Sequence, residues 1–182
     1  MSFRISYNRY EQIKRIVTQT FIRYGVNCIP VSAFELASKM GVTIIPYSAY
    51  SKEKRETISY FSNDGFSALY DGQWYIFYND ELPYKRINNT LMHEIGHIVL
   101  DHTQESDLAE AEANFFAKFA LAPPVLIHKL EPQDEIQLAN LFDISLEAAT
   151  YAMEYYKKWL EYGGSEYKDY EIRLLNLFGW AV

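Results

Sequence analysis

His93-Glu94-Ile95-Gly96-His97-Ile98-Val99-Leu100-Asp101-His102 sets the frame for reading the rest of the chain. Apolar residues Leu91, Ile95, Ile98 and Val99 recur around it at helical spacing, which predicts a helix from about Tyr84 to Asp101. Residues four apart on a helix lie about 40° apart around its axis, so the His93 and His97 imidazoles project from one face. Two imidazoles so placed can converge on a single Zn²⁺ at about 2.0–2.1 Å per nitrogen. Glu94 is rotated away from that axis, yet it can reach a water on the metal and take its proton. With four His and sixteen Glu in the chain, such an HExxH pattern arises by chance on the order of once per hundred chains.

A catalytic zinc site needs a third protein ligand. The downstream candidates are His102, Glu105, Asp107, Glu110 and Glu112. Leu100 and Thr103 stand where an HExxHxxGxxH pattern would need glycine and histidine, so that arrangement is absent. His102 lies about 140° around from His97 if the helix continues that far, and reads as a cation near a helix C-terminus. A second helix is expected from about Asp107 to Leu121, stopped by Ala122-Pro123-Pro124. If the two helices form a hairpin turning at Thr103-Gln104, Glu110 falls level with His97 and Asn114 level with His93. Glu110 and Asn114 share a face with the small residues Ala113 and Ala117, and with Leu121, while Glu112 is about 200° away, on the side of Phe115, Phe116 and Phe119. Glu110 is thus the expected third metal ligand, with Glu112 as the alternative carboxylate, and Asn114 is expected to orient a ligand imidazole. The competing role for Glu110 is a capping partner of Asp107.

Upstream, Tyr10, Ile13, Val17, Phe21 and Tyr24 mark an amphipathic helix that ends at Gly25, and Ser32 with Glu35 caps a short helix ending at Gly41. Four β-rich runs follow: VTIIPY from Val42, TISYF from Thr57, FSALY from Phe66 and QWYIFY from Gln73. Asn63-Asp64-Gly65 and Asp71-Gly72 separate the last three, so an antiparallel sheet of three or four strands is expected. Further helices are expected over Asp134–Phe142, Leu146–Tyr162 and Tyr170–Leu177, with Gly163-Gly164 between the last two. The order of elements makes an α+β fold. It reads as a single domain over 1–182: an N-terminal helix in 1–30, the sheet and HExxH core in 31–124, and a helical extension in 125–182.

The formal net charge of −7 argues against a dedicated nucleic-acid binder. Lys52, Lys54 and Arg55 are interleaved with Glu53 and Glu56 and read as a solvated loop. Cys28 is the only cysteine; internal disulfides and a Cys-rich metal cage are excluded, and the thiol is expected to be a small buried hydrophobe. No apolar run approaches the roughly 20 residues that cross a bilayer. The start of the chain, MSFRISYNRYEQIKR, lacks the continuous apolar core of a secretory signal. A cytoplasmic location is the expectation.

HEIGHIVLDH from His93, EAEANFFAKFALAPP from Glu110 and the lead-in Asn88-Asn89-Thr90-Leu91 together resemble the ImmA/IrrE metallopeptidases of bacteria and mobile elements. That family couples HExxH to a downstream E-x-E-A-N-x-F-A segment ending in a small apolar patch and proline. The resemblance covers roughly Val31 to Pro124. It implies a zincin-like, gluzincin-type core with zinc on two histidines and a downstream glutamate, carried here by His93, His97 and Glu110. It further implies a cytoplasmic protease that cuts or antagonises a DNA-binding repressor of a phage, conjugative element or stress response. Some relatives carry a fused DNA-binding domain, for which there is no room before residue 30. LANLFDISLEAATYAMEYY from Leu138 has a helix–turn–helix cadence, but in acidic surroundings it reads as ordinary helix packing.

The expected chemistry is therefore zinc-dependent hydrolysis of a peptide bond, with Glu94 as general base and a helix–turn–helix repressor as the protein substrate. Direct contact with nucleic acid or membrane is not expected. The rival reading is a non-catalytic antirepressor whose metal site is structural or vestigial, against which the intact Glu94 speaks. The strand Gln73–Tyr78 is expected to lie near the zinc, either pairing one of its edges with the partner or lying inside the sheet with both edges occupied. Tyrosines and histidines are candidates for stabilising the oxyanion, and the sequence singles out none.

Overall fold

The computed structural model describes residues 5–163 and 166–180. The chain opens with α1 (Tyr7–Tyr24), started by Ser6, whose side chain accepts from the Arg9 N–H, and ended by Gly25 in the left-handed region at φ 63°. Its Ile13, Val17 and Phe21 are fully buried, as their spacing predicts. Then come α2 (Ala33–Met40), β1 (Thr43–Pro46), a 3₁₀ turn (Tyr47–Ala49), α3 (Lys52–Phe61), β2 (Gly65–Tyr70) and β3 (Gln73–Tyr78). Six helices complete the described chain: α4 (Tyr84–Val99), α5 (Asp107–Leu121), α6 (Pro124–Leu130), α7 (Glu135–Leu141), α8 (Leu146–Gly163) and α9 (Asp169–Leu177). The α+β class stands.

Three expectations about the sheet are corrected. TISYF is not a strand; it is the second half of α3. Lys52 to Glu56 are strong helix formers, and Glu53 sits in the first turn, at the positive end of the helix dipole. Thr57 continues the helix, its hydroxyl donating back to the Glu53 carbonyl at 3.1 Å. The charged run before it is thus a solvated helix rather than a loop, and Asn63-Asp64-Gly65 leads from helix to strand. Secondly, the sheet is mixed. β2 and β3 are antiparallel across a two-residue turn in which Asp71 (φ 48°) and Gly72 (φ 74°) are both left-handed, the combination a type I′ hairpin requires. β1 instead pairs in parallel with β3, Thr43 opposite Tyr75, after a crossover through residues 47–72. Thirdly, the order β1-β3-β2 makes β3 the central strand with both edges taken. β3 therefore cannot receive a partner strand, and β2 carries an open edge.

One face of this sheet packs on α4, and α4 packs on α5. Gly96 makes that helix pairing close: a Cβ there would lie 3.2 Å from Cβ and Cδ1 of Phe116 and 3.3 Å from the Ala113 Cα. Leu91, Ile95 and Phe116 are fully buried at this contact, while Ile98 and Val99 are partly buried against it. Asn88 ties α4 to the start of α2, its Oδ1 accepting from the Ala33 N–H at 2.8 Å and its Nδ2 donating to the Val31 carbonyl at 3.0 Å. Pro123-Pro124 ends α5 as expected, but Pro124 then begins α6, which the composition did not mark; proline suits the first helical position because its missing donor is not needed there. The helix–turn–helix-like segment is helix packing: Leu138, Ala139, Phe142, Ile144 and Ala149 lie in the common core. α9 is held to α1 by the Lys168 ammonium on Glu11 at 2.8 Å. α8 ends at Gly163, and the Gly164 half of the expected glycine break lies outside the described residues.

Cys28 is exposed, not buried. It sits in the loop between α1 and α2, where Val26 and Val31 take the inward positions. No helix among the described residues is long and apolar enough to cross a membrane.

Replacing Asn88 with alanine should leave two buried backbone groups, the Ala33 N–H and the Val31 carbonyl, without partners. At about 1–3 kcal/mol for each orphaned group, Asn88→Ala is expected to lose about 2–6 kcal/mol of stability, measured by denaturant unfolding. An unchanged midpoint would show that this link does not hold α2 to α4.

Candidate metal centre

α4 carries His93, Glu94 and His97, and their directions follow from its apolar anchor on the other side. The two histidines are half-buried and turn their Nε2 atoms toward each other at 3.0 Å. α5 faces them across the Gly96 contact. Its first turn begins at Ser106, whose Oγ accepts from the Ala109 N–H at 3.1 Å. The cap is therefore Ser106, which frees Glu110 from a capping role. The Glu110 carboxylate meets both imidazoles, Oε1 at 3.2 Å from His97 Nε2 and Oε2 at 3.4 Å from His93 Nε2.

These separations test whether the donors fit a metal. Tetrahedral ligands at about 2.0–2.1 Å from zinc stand roughly 3.3–3.4 Å apart, close to the distances between the three donors here. His93, His97 and Glu110 offer ligand atoms that all lie within 4.8 Å of one another. The protonation state also suits: burial first, and then the neighbouring His93, push His97 down to about 4, so its imidazole is neutral and able to ligate at neutral pH.

Glu94 is buried beside the cluster, and its Oε2 accepts from the Ser67 hydroxyl of β2 at 2.7 Å. Burial raises its pKa above the usual carboxylate value, with the Ser67 hydrogen bond and His93 pulling in the other direction. Ser67 gave no sign of this role in the sequence, because the contact depends on how the sheet docks on α4.

His102 occupies a place that its helical phase did not predict. Leu100 caps α4 after Val99; Asp101 is left-handed at φ 56°; the His102 N–H returns to the His97 carbonyl at 3.0 Å and the Asp101 N–H to the Ile98 carbonyl at 3.3 Å. This pair of bonds is a Schellman turn. It folds the His102 ring back so that its Nδ1 lies 3.0 Å from His97 Nδ1 and its Nε2 3.1 Å from the Glu112 carboxylate. His102 is thus neither in the donor cluster nor a lone cation at a helix end. Glu112 is buried on the far side of His102 and is held by Arg9 of α1, with Nε on Oε1 at 2.8 Å and Nη2 on Oε2. The Arg9 hydrogen bonds keep the Glu112 carboxyl below its ordinary pKa. Asn114 lines the same cleft without hydrogen bonding either imidazole; the group bonded to His97 is His102 instead. Glu105 and Asp107 are exposed at the cleft mouth.

The cluster opens into a cleft of about 1060 Å³ whose walls include Phe61, the β2 residues from Gly65 to Leu69, and the loop from Asp101 to Ser106. No tyrosine lines it among the described residues. The family model for Peptidase_M78, described as an IrrE N-terminal-like domain, matches residues 36–154 of the chain. The match runs beyond Pro124, through α6 and α7 into α8. No curated protein matches the chain significantly.

The two acidic residues of α5 are separable by metal analysis. Glu110→Ala should retain well under one equivalent of zinc after dialysis, whereas Glu112→Ala should still take up zinc, more weakly than wild type, and melt lower. The stability loss is expected to be about 3 kcal/mol, because it strips a buried pair of one partner. A full equivalent of tightly held zinc in Glu110→Ala would exclude that carboxylate as a ligand.

Proposed function

Because the chain belongs to the Peptidase_M78 family of IrrE N-terminal-like domains, we propose that it is a zinc-dependent endopeptidase that hydrolyses one peptide bond in a specific regulatory protein. The observation that carries the reading is the convergence of His93, His97 and Glu110 in an open cleft, with the buried Glu94 alongside. Held by those three residues, a zinc ion would supply Lewis acidity, polarising a carbonyl and bringing the pKa of water to about 7.

The remaining work falls to the chain's own residues. Glu94 takes the proton of the attacking water and passes it to the leaving amine nitrogen. Ser67 holds one carboxylate oxygen, leaving the other for the water. Burial, by making the carboxylate a stronger base, suits it to both transfers. The substrate lies extended along β2, whose open edge borders the cleft and offers unpaired backbone groups for strand addition. Exposed Phe61 and Leu69 flank that edge and can take apolar side chains of the peptide. The substrate we propose is a helix–turn–helix repressor of a phage or mobile element, met in the cytoplasm, as the resemblance of HEIGHIVLDH and EAEANFFAKFALAPP implies.

The test uses a small helix–turn–helix repressor encoded beside this gene, incubated with wild-type and Glu94→Gln protein. Wild type should generate a new N-terminus in the repressor. Glu94→Gln should bind zinc equally and cleave about 10²–10⁴ times more slowly, because an amide keeps the shape but cannot accept the proton. Undiminished cleavage by Glu94→Gln would refute the mechanism. A stoichiometric complex with no new N-terminus from wild type would favour the non-catalytic antirepressor.

A further inference from the structure

We propose that His102, Glu112 and Arg9 form a positioning relay that fixes the ring proton and rotation of His97 and thereby tightens the metal site. The inference rests on the metal-binding reading above and concerns residues outside the donor cluster.

The hydrogen-bond directions leave one consistent assignment. His97 turns Nε2 to Glu110 and His93, and a nitrogen that ligates a metal carries no proton, so the ring proton sits on Nδ1. That proton points at His102 Nδ1, 3.0 Å away, which must be the acceptor. The His102 proton then lies on Nε2, directed at Glu112 Oε2 at 3.1 Å. Glu112 can only accept, and Arg9 can only donate: its Nε and Nη2 grip both carboxylate oxygens in the fork geometry that lysine cannot reproduce. Every donor in the series therefore has one acceptor, and reversing either imidazole would set two protons or two lone pairs against each other.

Placement supports this assignment. The side chains of His102 and Glu112 are 11% and 6% exposed, so water competes little for these bonds. The Schellman turn at Asp101 brings His102 to the back of His97, and Arg9 reaches Glu112 from α1, 103 residues away in sequence. Metal-bound histidines commonly give their second ring proton to a carboxylate, and losing that partner typically weakens metal binding about 10–100-fold. Here an extra imidazole lies between ligand and carboxylate, and the terminal arginine anchors the series to a different helix.

Zinc affinity, measured by competition with a chromophoric chelator, tests the relay, with thermal melts of the metal-free proteins alongside. His102→Leu removes the acceptor with little change of volume and should weaken zinc about 10–100-fold. His102→Asn places its Oδ1 where Nδ1 stood and should retain affinity within a few-fold of wild type. A purely structural role for His102 would instead make affinity follow the melting temperature in both variants. Should His102→Leu not fold, Glu112→Gln carries the same test, since in either orientation the amide sets its NH2 against an N–H of Arg9, breaks the fork that anchors the series and should also weaken zinc. Wild-type affinity in a folded His102→Leu or Glu112→Gln protein would overturn the relay alone. A wild-type chain that takes up no zinc would remove the metal-binding reading and the relay with it.

Discussion

The contact between Gly96 and the Ala113–Phe116 surface governs the rest of the molecule. Any side chain at position 96 would press on the Ala113 Cα and the Phe116 ring at 3.2–3.3 Å, closer than packed atoms tolerate without displacement. The absence of one lets α4 and α5 approach until Glu110 comes to 3.2–3.4 Å from two imidazoles on the other helix. The same approach places Glu112 behind His102. Both acidic residues of α5 thus serve α4, one from each side of the His97 ring.

Such a site is expensive to fold. Glu94 and Glu112 are buried carboxylates, and His93, His97 and Glu110 crowd together at 3.0–3.4 Å. Neighbours offset part of the cost: Ser67 for Glu94, and Arg9 with His102 for Glu112. The larger compensation comes from the continuous apolar core beneath, in which Phe21, Leu36, Ile76, Leu91, Ile95, Phe116 and Leu126 are fully buried. A second network pairs Glu11 with Lys14 and Lys168, and Glu171 accepts from the Trp159 indole at 2.6 Å. α1 takes part in both networks, through Arg9 in one and Glu11 in the other.

The sheet reaches the site through a second tight approach. A Cβ at Gly65 would lie 2.7 Å from the Phe77 carbonyl and 2.8 Å from Thr90 Cγ2, so only glycine lets β2 begin this close to both β3 and α4. Two residues later Ser67 points to α4 and finds Glu94, while the alternating residues Phe66 and Ala68 turn to the other face, where Phe66 stacks on Phe77. The edge of β2 is therefore in place beside Glu94, whereas β3, with the stronger alternating pattern, is enclosed by its neighbours.

What the residues determined unaided is what covalent geometry repeats over a few positions. The four-residue spacing of His93 and His97 sets their common face, the phase of α5 separates Glu110 from Glu112, Ser32 and Gly25 mark helix ends, and Asp71-Gly72 makes the hairpin. Each of these is local, so no distant partner was needed to read it. Tertiary structure decided the rest. TISYF is the one local exception: it is helical because the five residues before it favour a helix and the chain continues it, against the β-propensity of the segment itself. β1 runs parallel to β3 because the intervening crossover returns it to that edge, and an exposed Cys28 reflects which neighbours turned inward. His102 reaches His97 only because Asp101, a residue with no glycine to announce it, adopts a left-handed turn that the packing of α4 against α5 must sustain. The bonds of Ser67 to Glu94 and of Arg9 to Glu112 join residues 27 and 103 positions apart, and no periodicity in a sequence encodes which distant side chains will meet once its helices and strands have packed.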